Sequence, residues 1–130
     1  MQNTRKFVFV MNHTPTTEQA AKATELGQVV ELQEKKLLTV PDDAGLGKEW
    51  FTARAEAIIA SVGGISSGDV VHVMGQQQLA MAVNALARRA GAKLVESVTP
   101  RTSKEVHQPD GTVKKENVFS FAGFRELHEY

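Results

Sequence analysis

The sequence contains no cysteine, and this absence excludes two features that often stabilise small proteins. There can be no disulfide framework and no thiolate zinc site. The four histidines are scattered along the chain without the close spacing of metal ligands. The sequence therefore predicts no metal site.

The chain also has no net charge, because fifteen Lys and Arg balance fifteen Asp and Glu. A balanced protein has no long-range field to steer it onto a long nucleic acid. An anionic ligand must then be met by a local cluster of cations. The sequence favours a small ligand over a duplex.

Long apolar runs are absent as well. The first apolar run, Phe7–Met11, follows the polar segment Met1–Lys6 and is too short for a signal peptide or a membrane span. We expect a cytoplasmic protein with no membrane partner. The length of 130 residues and the hydrophobic content of 42% fit one compact domain over residues 1–130.

Familiar nucleotide-binding motifs are missing. The chain has no Gly-x-x-x-x-Gly-Lys loop, no Gly-x-Gly-x-x-Gly and no carboxylate cluster for magnesium. Nothing in the sequence indicates an ATPase or a dehydrogenase, and no cofactor is predicted.

What the chain does contain is an alternation of apolar runs with segments of helical periodicity. The runs, each typical of a buried strand, are 6–11, 28–32, 70–74 and 93–98. The predicted helices run from Thr14 or Thr16 to about Leu26, from Lys48 to about Val62, and from Gly75–Gln78 to Gly91. This order predicts an α/β fold with a mostly parallel sheet and flanking helices.

Local signals define some boundaries and leave one segment open. Thr16 with Gln19 fits a capping box at the start of the first helix. Leu37–Pro41 fits either a short strand or a helical turn stopped by proline, and 42–47 is loop. Trp50, beside the apolar stripe of the second helix, is interpreted as a core-edge residue rather than a base-stacking platform.

The end of the chain changes character. Pro109-Asp110-Gly111 is a strong turn signal between two arms, about 94–106 and 112–124. We predict a long C-terminal β-hairpin that adds an antiparallel strand to the otherwise parallel sheet.

Three polar segments follow the predicted parallel strands. They are Asn12-His13-Thr14, Gly75-Gln76-Gln77-Gln78 and Arg101-Thr102-Ser103-Lys104. The carboxyl ends of parallel strands meet at one edge of the sheet, where helix N-termini offer N–H groups to anions. Since Arg101 and Lys104 add positive charge, the sequence predicts a phosphate-handling site.

A plainer interpretation of the same segments stays open. Gly75 is then a tight turn and the glutamines after it are solvated helix residues. His13 is a solvated turn residue, and Arg101 and Lys104 belong to ordinary hairpin surface.

Four segments of the chain resemble those of a known family. They are Phe9–Gln19, Gly68–Gln76, Thr99–Val106 and Asp110–Arg125. In these segments the chain is similar to the small stand-alone CRISPR-associated ring nucleases of type III systems. The likeness covers most of the chain, is loose at 33–48, and is densest in the final hairpin.

The resemblance implies a Rossmann-like (CARF-like) fold, a homodimer, and binding of the cyclic oligoadenylate second messenger, with cyclic tetra-adenylate as the expected ring. It also implies cleavage without metal. In such a ring each ribose 2′-OH lies beside the phosphate it attacks, so the protein need only align the groups and stabilise charge. The products then carry 2′,3′-cyclic phosphates.

On this hypothesis the candidate catalytic residues are Arg101 and Lys104, which stabilise the pentavalent phosphate, and His13, a general acid or base. The candidate binding residues are Asn12, Thr14, Gly75, Gln76, Gln77, Gln78, Thr102 and Ser103.

Two other classes of protein are compatible with the sequence. One is a non-catalytic module that senses or sequesters a cyclic nucleotide, and turnover of the ligand would distinguish it from a nuclease. The other is a generic α/β partner-binding domain, which absence of ligand binding would support.

Overall fold

The computed structural model describes residues 4–130. Residues Met1–Asn3 lie outside the described residues. They belong to the N-terminal segment for which the sequence predicts no signal peptide. Within residues 4–130 the chain forms three α-helices and seven β-strands. In chain order they are β1 (Lys6–Val10), α1 (Thr17–Leu26), β2 (Gln28–Glu31), α2 (Lys48–Ser61), β3 (Val70–Val73), α3 (Gln77–Arg89), β4 (Lys93–Val98), β5 (Arg101–His107), β6 (Val113–Phe119) and β7 (Gly123–Glu126).

The main sheet has the strand order β2-β1-β3-β4-β7. The first four strands are parallel, and β7 pairs with β4 in the antiparallel sense. This confirms the predicted α/β class with a mostly parallel sheet. The strand order reverses between β1 and β3, because β2 lies on one side of β1 and β3 on the other.

Helices cover both faces of this sheet. On one face, α2 and α3 pack on residues that include Val8, Val71 and Leu94. On the other, α1 packs on the intervening residues, which include Phe9 and Val95. Because side chains alternate along a strand, the central strands contribute to both layers. Their buried residues are mostly apolar, and His72 of β3 is a buried polar exception. None of the helices in the described part of the chain is both long and apolar enough to cross a membrane.

The start of α1 shows the predicted capping box. The Oγ1 of Thr16 accepts a hydrogen bond from the backbone N–H of Gln19 at 3.1 Å, and the Oε1 of Gln19 accepts one from the backbone N–H of Thr16 at 2.9 Å. Of the two threonines considered, Thr16 is therefore the cap. The helix ends at Gly27, where a Cβ atom would lie 2.8 Å from the carbonyl oxygen of Arg5. Close approach to the chain entering β1 thus requires glycine.

The segment left open by the sequence forms a 3-10 turn over Lys35–Leu38. Arg54 of α2 donates hydrogen bonds of 3.0 Å to the carbonyl oxygens of Leu37 and Thr39, and this holds the turn against the helix. The same guanidinium lies 4.6 Å from the centre of the Trp50 ring. Trp50 is partly buried against the core, as predicted.

The predicted long hairpin is present, and it divides into two parts. Its base is β4 paired with β7 in the main sheet, and its distal part is a separate ribbon, β5 paired with β6. The ladder breaks near Pro100, which has no N–H to donate. The predicted turn lies at the tip, where the Oδ1 of Asp110 accepts hydrogen bonds from the backbone N–H and the hydroxyl of Thr112.

Candidate functional site

A cavity of about 440 Å³ lies at the edge of the sheet where β1, β3 and β4 end. Its volume falls in the range of small-molecule sites, roughly 300–1,000 Å³. It adjoins the point where the strand order reverses, which is where ligands collect in open α/β sheets. The polar residues that line it are His13, Gln19, His72, Glu96, Ser97 and Thr99.

A chain of hydrogen bonds runs beneath this cavity from α1 to β4 and then to β3. The Oε1 of Gln19 is held by the backbone N–H of Thr16, and its Nε2 donates to the Oγ of Ser97 at 3.1 Å. The Oγ of Ser97 lies 2.7 Å from the Nε2 of His72. Because polar groups in an apolar interior are costly unless paired, this chain holds the three side chains in place.

The strand position of His72 explains its burial. Alternation along β3 directs its side chain to the α1 face of the sheet, where its ring centre lies 5.5 Å from that of Phe9 and 5.7 Å from that of Phe124. The residue is 1% exposed. Its Nδ1 is buried and has no hydrogen-bond partner within residues 4–130.

Burial lowers the pKa of His72 below the ordinary value of 6.5, because the imidazolium form would lose its hydration. Its own backbone carbonyl opposes this effect, and the nearby charge of His13 adds to it. The imidazole is therefore neutral at neutral pH. Since Gln19 already donates to Ser97, the hydroxyl of Ser97 is satisfied when it donates in turn to the Nε2 of His72.

This burial predicts a pH-dependent stability. Below about pH 6.5 the unfolded chain takes up a proton at this histidine, whereas folded His72 takes one up only at a lower pH, so the free energy of unfolding should fall as the pH is lowered. One group contributes at most about 1.4 kcal/mol per pH unit. Chemical denaturation between about pH 5 and pH 8 would measure it. The free energy of unfolding should depend less steeply on pH in a His72→Gln variant. Equal slopes in the two proteins would contradict the lowered pKa of His72.

The electrostatics of the cavity are mixed. Glu96 lines it and pairs with Arg125 of β7, whose Nε lies 3.1 Å from a carboxylate oxygen. Among the described residues that line this cavity, none is Lys or Arg. Within residues 4–130, this cavity included, no group of three or more His, Asp or Glu side chains is placed to hold a metal ion. A phosphate bound here would need a cation from outside the lining.

The first predicted segment contributes one residue to the cavity. His13 is exposed, and its Nδ1 lies 3.2 Å from the carbonyl oxygen of Thr14. Asn12 and Thr14 are exposed beside it. The start of this loop is held by Lys35, whose Nζ donates to the carbonyl oxygen of Met11 at 2.8 Å. The structure thus anchors the loop that presents His13.

The second predicted segment lies elsewhere. Gln76 and Gln78 line a cavity of about 520 Å³ together with Lys48 and the loop before α2. The Oε1 of Gln76 accepts a hydrogen bond of 2.8 Å from the backbone N–H of Leu79, so this side chain caps α3. Among the described residues, Gly75 and Gln77 line neither of these two cavities. The structure does not bring the glutamines into the cavity of His13.

The third segment, Arg101–Lys104, forms the first half of β5, within the first arm of the predicted hairpin, and it is exposed. Side chains three residues apart on a strand project to opposite faces. Within one chain, Arg101 shares a face with Ser103, and Lys104 shares the other face with Thr102. Within one chain the two cations therefore project from opposite faces of the ribbon.

The two cations also differ in their surroundings. Lys104 lies opposite Glu116 in the ribbon, whereas Arg101 lies opposite Phe119. Opposite charges across a strand pair offset each other, so the positive charge of Arg101 is the less compensated of the two. Arg101 is also only two residues beyond Thr99, which lines the cavity of His13.

The buried residues of this site, His72, Gln19 and Ser97, were not among the site residues predicted from the sequence. His72 was included in an apolar strand, although it is the polar member of Val70–Met74. Gln19 was noticed as part of a capping box, and its second role depends on a partner 78 residues away. Ser97 belongs to β4, on the same face as Val95. The signal in the sequence that could have identified His72 is the presence of a histidine inside an otherwise apolar strand.

The fold and the cavity define an α/β protein with a mostly parallel sheet and a polar site at the edge where the strand order reverses. Over residues 5–125 the chain matches the family described as uncharacterized protein MJ1673 family, and it belongs to that family. The chain has no match among curated proteins or among solved structures.

Proposed function

We propose that this protein is a ring nuclease, which binds a cyclic oligoadenylate in the cytoplasm and cleaves it to switch off type III CRISPR signalling. The observation that carries the proposal is the cavity at the carboxyl ends of β1, β3 and β4, where an exposed imidazole, His13, lies beside a paired serine and histidine. The resemblance of four segments to ring nucleases supplies the class of ligand.

The strand order supports a Rossmann-like, CARF-like assignment of the fold. The order β2-β1-β3-β4 with helices on both faces is that of one common type of doubly wound sheet, in which the ligand crevice lies between the ends of β1 and β3. In this protein an antiparallel strand, β7, stands at the edge beside β4. The cavity of His13 adjoins that crevice.

The chemistry requires few protein groups. The ribose 2′-OH is the nucleophile and is already adjacent to its phosphate, so no external nucleophile is needed. A proton must leave the 2′-oxygen, and another must reach the 5′-oxygen that departs from phosphorus. His13 is an exposed imidazole at the cavity and suits one of these roles.

The sizes of the cavity and of the ligand support a homodimer. A cavity of about 440 Å³ has room for part of an oligoadenylate ring rather than for all of it. Two copies related by a two-fold axis would present two such cavities to a symmetric ring. Val113 and Phe119 on one face of the ribbon are 51% and 65% exposed. Since an isolated two-stranded ribbon is only marginally stable in water, a second copy is a suitable cover for this face.

Incubation of the pure protein with labelled cyclic tetra-adenylate in excess EDTA tests the function. We expect linear products that carry a 2′,3′-cyclic phosphate and a 5′-hydroxyl, because the attacking group is the 2′-oxygen. Strict dependence on magnesium, or products with plain 3′-hydroxyl ends, would contradict the mechanism. Binding without turnover would favour the non-catalytic sensor or sequestering module, and absence of binding would exclude both.

A further inference from the structure

Ser97 and His72 have the geometry of a proton-accepting pair. The distance of 2.7 Å between the Oγ of Ser97 and the Nε2 of His72 lies within the range for a hydroxyl and its base, roughly 2.6–3.2 Å. Both residues line the cavity. A buried histidine more often serves only to satisfy its neighbours, but here the serine that it contacts is partly exposed and lines a site that has room for a ligand.

The orientation of the pair is set from the side of α1. The amide of Gln19 is held by the backbone of Thr16 and donates to the Oγ of Ser97. In the tautomer of His72 that carries its proton on Nδ1, the hydroxyl of Ser97 donates to the Nε2 of His72. A donor aimed at the Oγ also stabilises negative charge that develops on that oxygen.

We propose that Ser97 is the residue that takes the proton from the attacking ribose 2′-OH, with His72 as the final acceptor of that proton and His13 as the acid. This inference rests on the proposed function and assigns the roles within it. Ser97 is the catalytic residue that contacts the substrate, and His72 acts through Ser97.

The 2′-OH gives its proton to the Oγ of Ser97 as the hydroxyl proton of Ser97 passes to the Nε2 of His72. The 2′-oxygen then forms a bond to phosphorus, and the bond from phosphorus to the 5′-oxygen breaks. Protonated His13 gives its proton to that 5′-oxygen. His72 later returns its proton to water, His13 regains one, and the product carries a 2′,3′-cyclic phosphate.

The surroundings of His72 fit the role of an acceptor that starts neutral. The phenyl rings of Phe9 and Phe124 pack against it from β1 and β7. The titratable groups at the cavity are His13 and Glu96, and Glu96 is paired with Arg125. Burial among apolar rings lowers the pKa of His72, so the ring is neutral when the reaction starts.

The test compares Ser97→Ala with Ser97→Thr, which keeps a hydroxyl at the same position in a strand. Single-turnover cleavage of cyclic tetra-adenylate is measured at saturating protein across a range of pH. Ser97→Ala should lower the rate by on the order of 10²-fold or more, with little change in affinity for the intact ring. Ser97→Thr should restore much of the rate. Ser61→Ala, an exposed serine at the end of α2, is the matched control.

The pH profile separates proton transfer from a purely structural role. The wild-type rate should rise with pH as His72 loses its proton, and Ser97→Ala should lose this rise. His72→Gln should lose it too, while thermal denaturation shows that the variant is folded. An unchanged rate in Ser97→Ala, or lost affinity with an unchanged saturating rate, would overturn this inference. If the wild-type protein does not cleave the ring, the proposed function itself fails.

Discussion

Replacement of His13 by alanine should slow single-turnover cleavage of cyclic tetra-adenylate by on the order of 10²-fold or more, because loss of a general acid or base commonly costs 10²–10⁴-fold. His13 lies at the cavity in an exposed loop, and its Nδ1 contacts the carbonyl oxygen of Thr14. The other ring nitrogen is then the one that can reach a ligand. Rapid-quench measurements at saturating protein would give the rate constant.

The shape of the pH profile shows what His13 does. If it donates the proton to the departing 5′-oxygen, His13→Ala should lose the fall in rate at high pH. An unchanged pH profile would show that the imidazole of His13 only positions the cyclic oligoadenylate. Because His13 is exposed, the variant should unfold at the same temperature as the wild type. His128→Ala, another exposed histidine, provides a control.

Replacement of Arg101 by alanine should weaken binding of the intact ring by about tenfold or more, since a hydrogen bond to a charged group is worth about 1.5–3 kcal/mol. The lining of the cavity supplies no Lys or Arg among the described residues, so the phosphate needs a cation from nearby. Arg101 is two residues from Thr99, which lines the cavity, and so at most ~7 Å from it along an extended chain.

Two variants are matched controls for Arg101→Ala. Lys104 projects from the opposite face of the ribbon and lies across from Glu116, so Lys104→Ala should have a smaller effect. Arg89 is exposed at the end of α3, and Arg89→Ala removes the same charge from a remote helix. Affinity would be measured by titration with labelled ring at fixed salt, because exposed charges are screened. Equal losses in all three variants would show that only net charge matters.

The elements of this fold were largely predictable, because their signals are local. Apolar runs bounded by polar residues marked the four parallel strands to within one residue, and the ladder of hydrogen bonds follows those runs. The capping box of Thr16 and Gln19 and the turn at Asp110 involve residues only two or three positions apart. Such short-range chemistry is visible in a sequence.

The composition of the site was predictable only in part. His13 and Gln76 each follow a strand in the sequence, and this indicated that they lie at one edge of the sheet. It did not indicate that they line different cavities. Arg101 and Lys104 were assigned to one phosphate because 99–104 lies just past the buried part of the fourth strand. Their separation follows from strand alternation in β5, which depends on pairing with β6.

The amino-acid sequence by itself determined the α/β class, the parallel strands, the helix start at Thr16 and the C-terminal hairpin, because periodicity and capping act within a few residues. Only the tertiary structure decided that Gln19, Ser97 and His72 form one buried chain of hydrogen bonds. Gln19 and Ser97 are 78 positions apart, and Ser97 and His72 are 25 apart. They meet because β4 pairs with β3 and the side chain of Gln19 reaches from α1 to Ser97 of β4, and a contact of that range depends on the sheet order rather than on any local pattern.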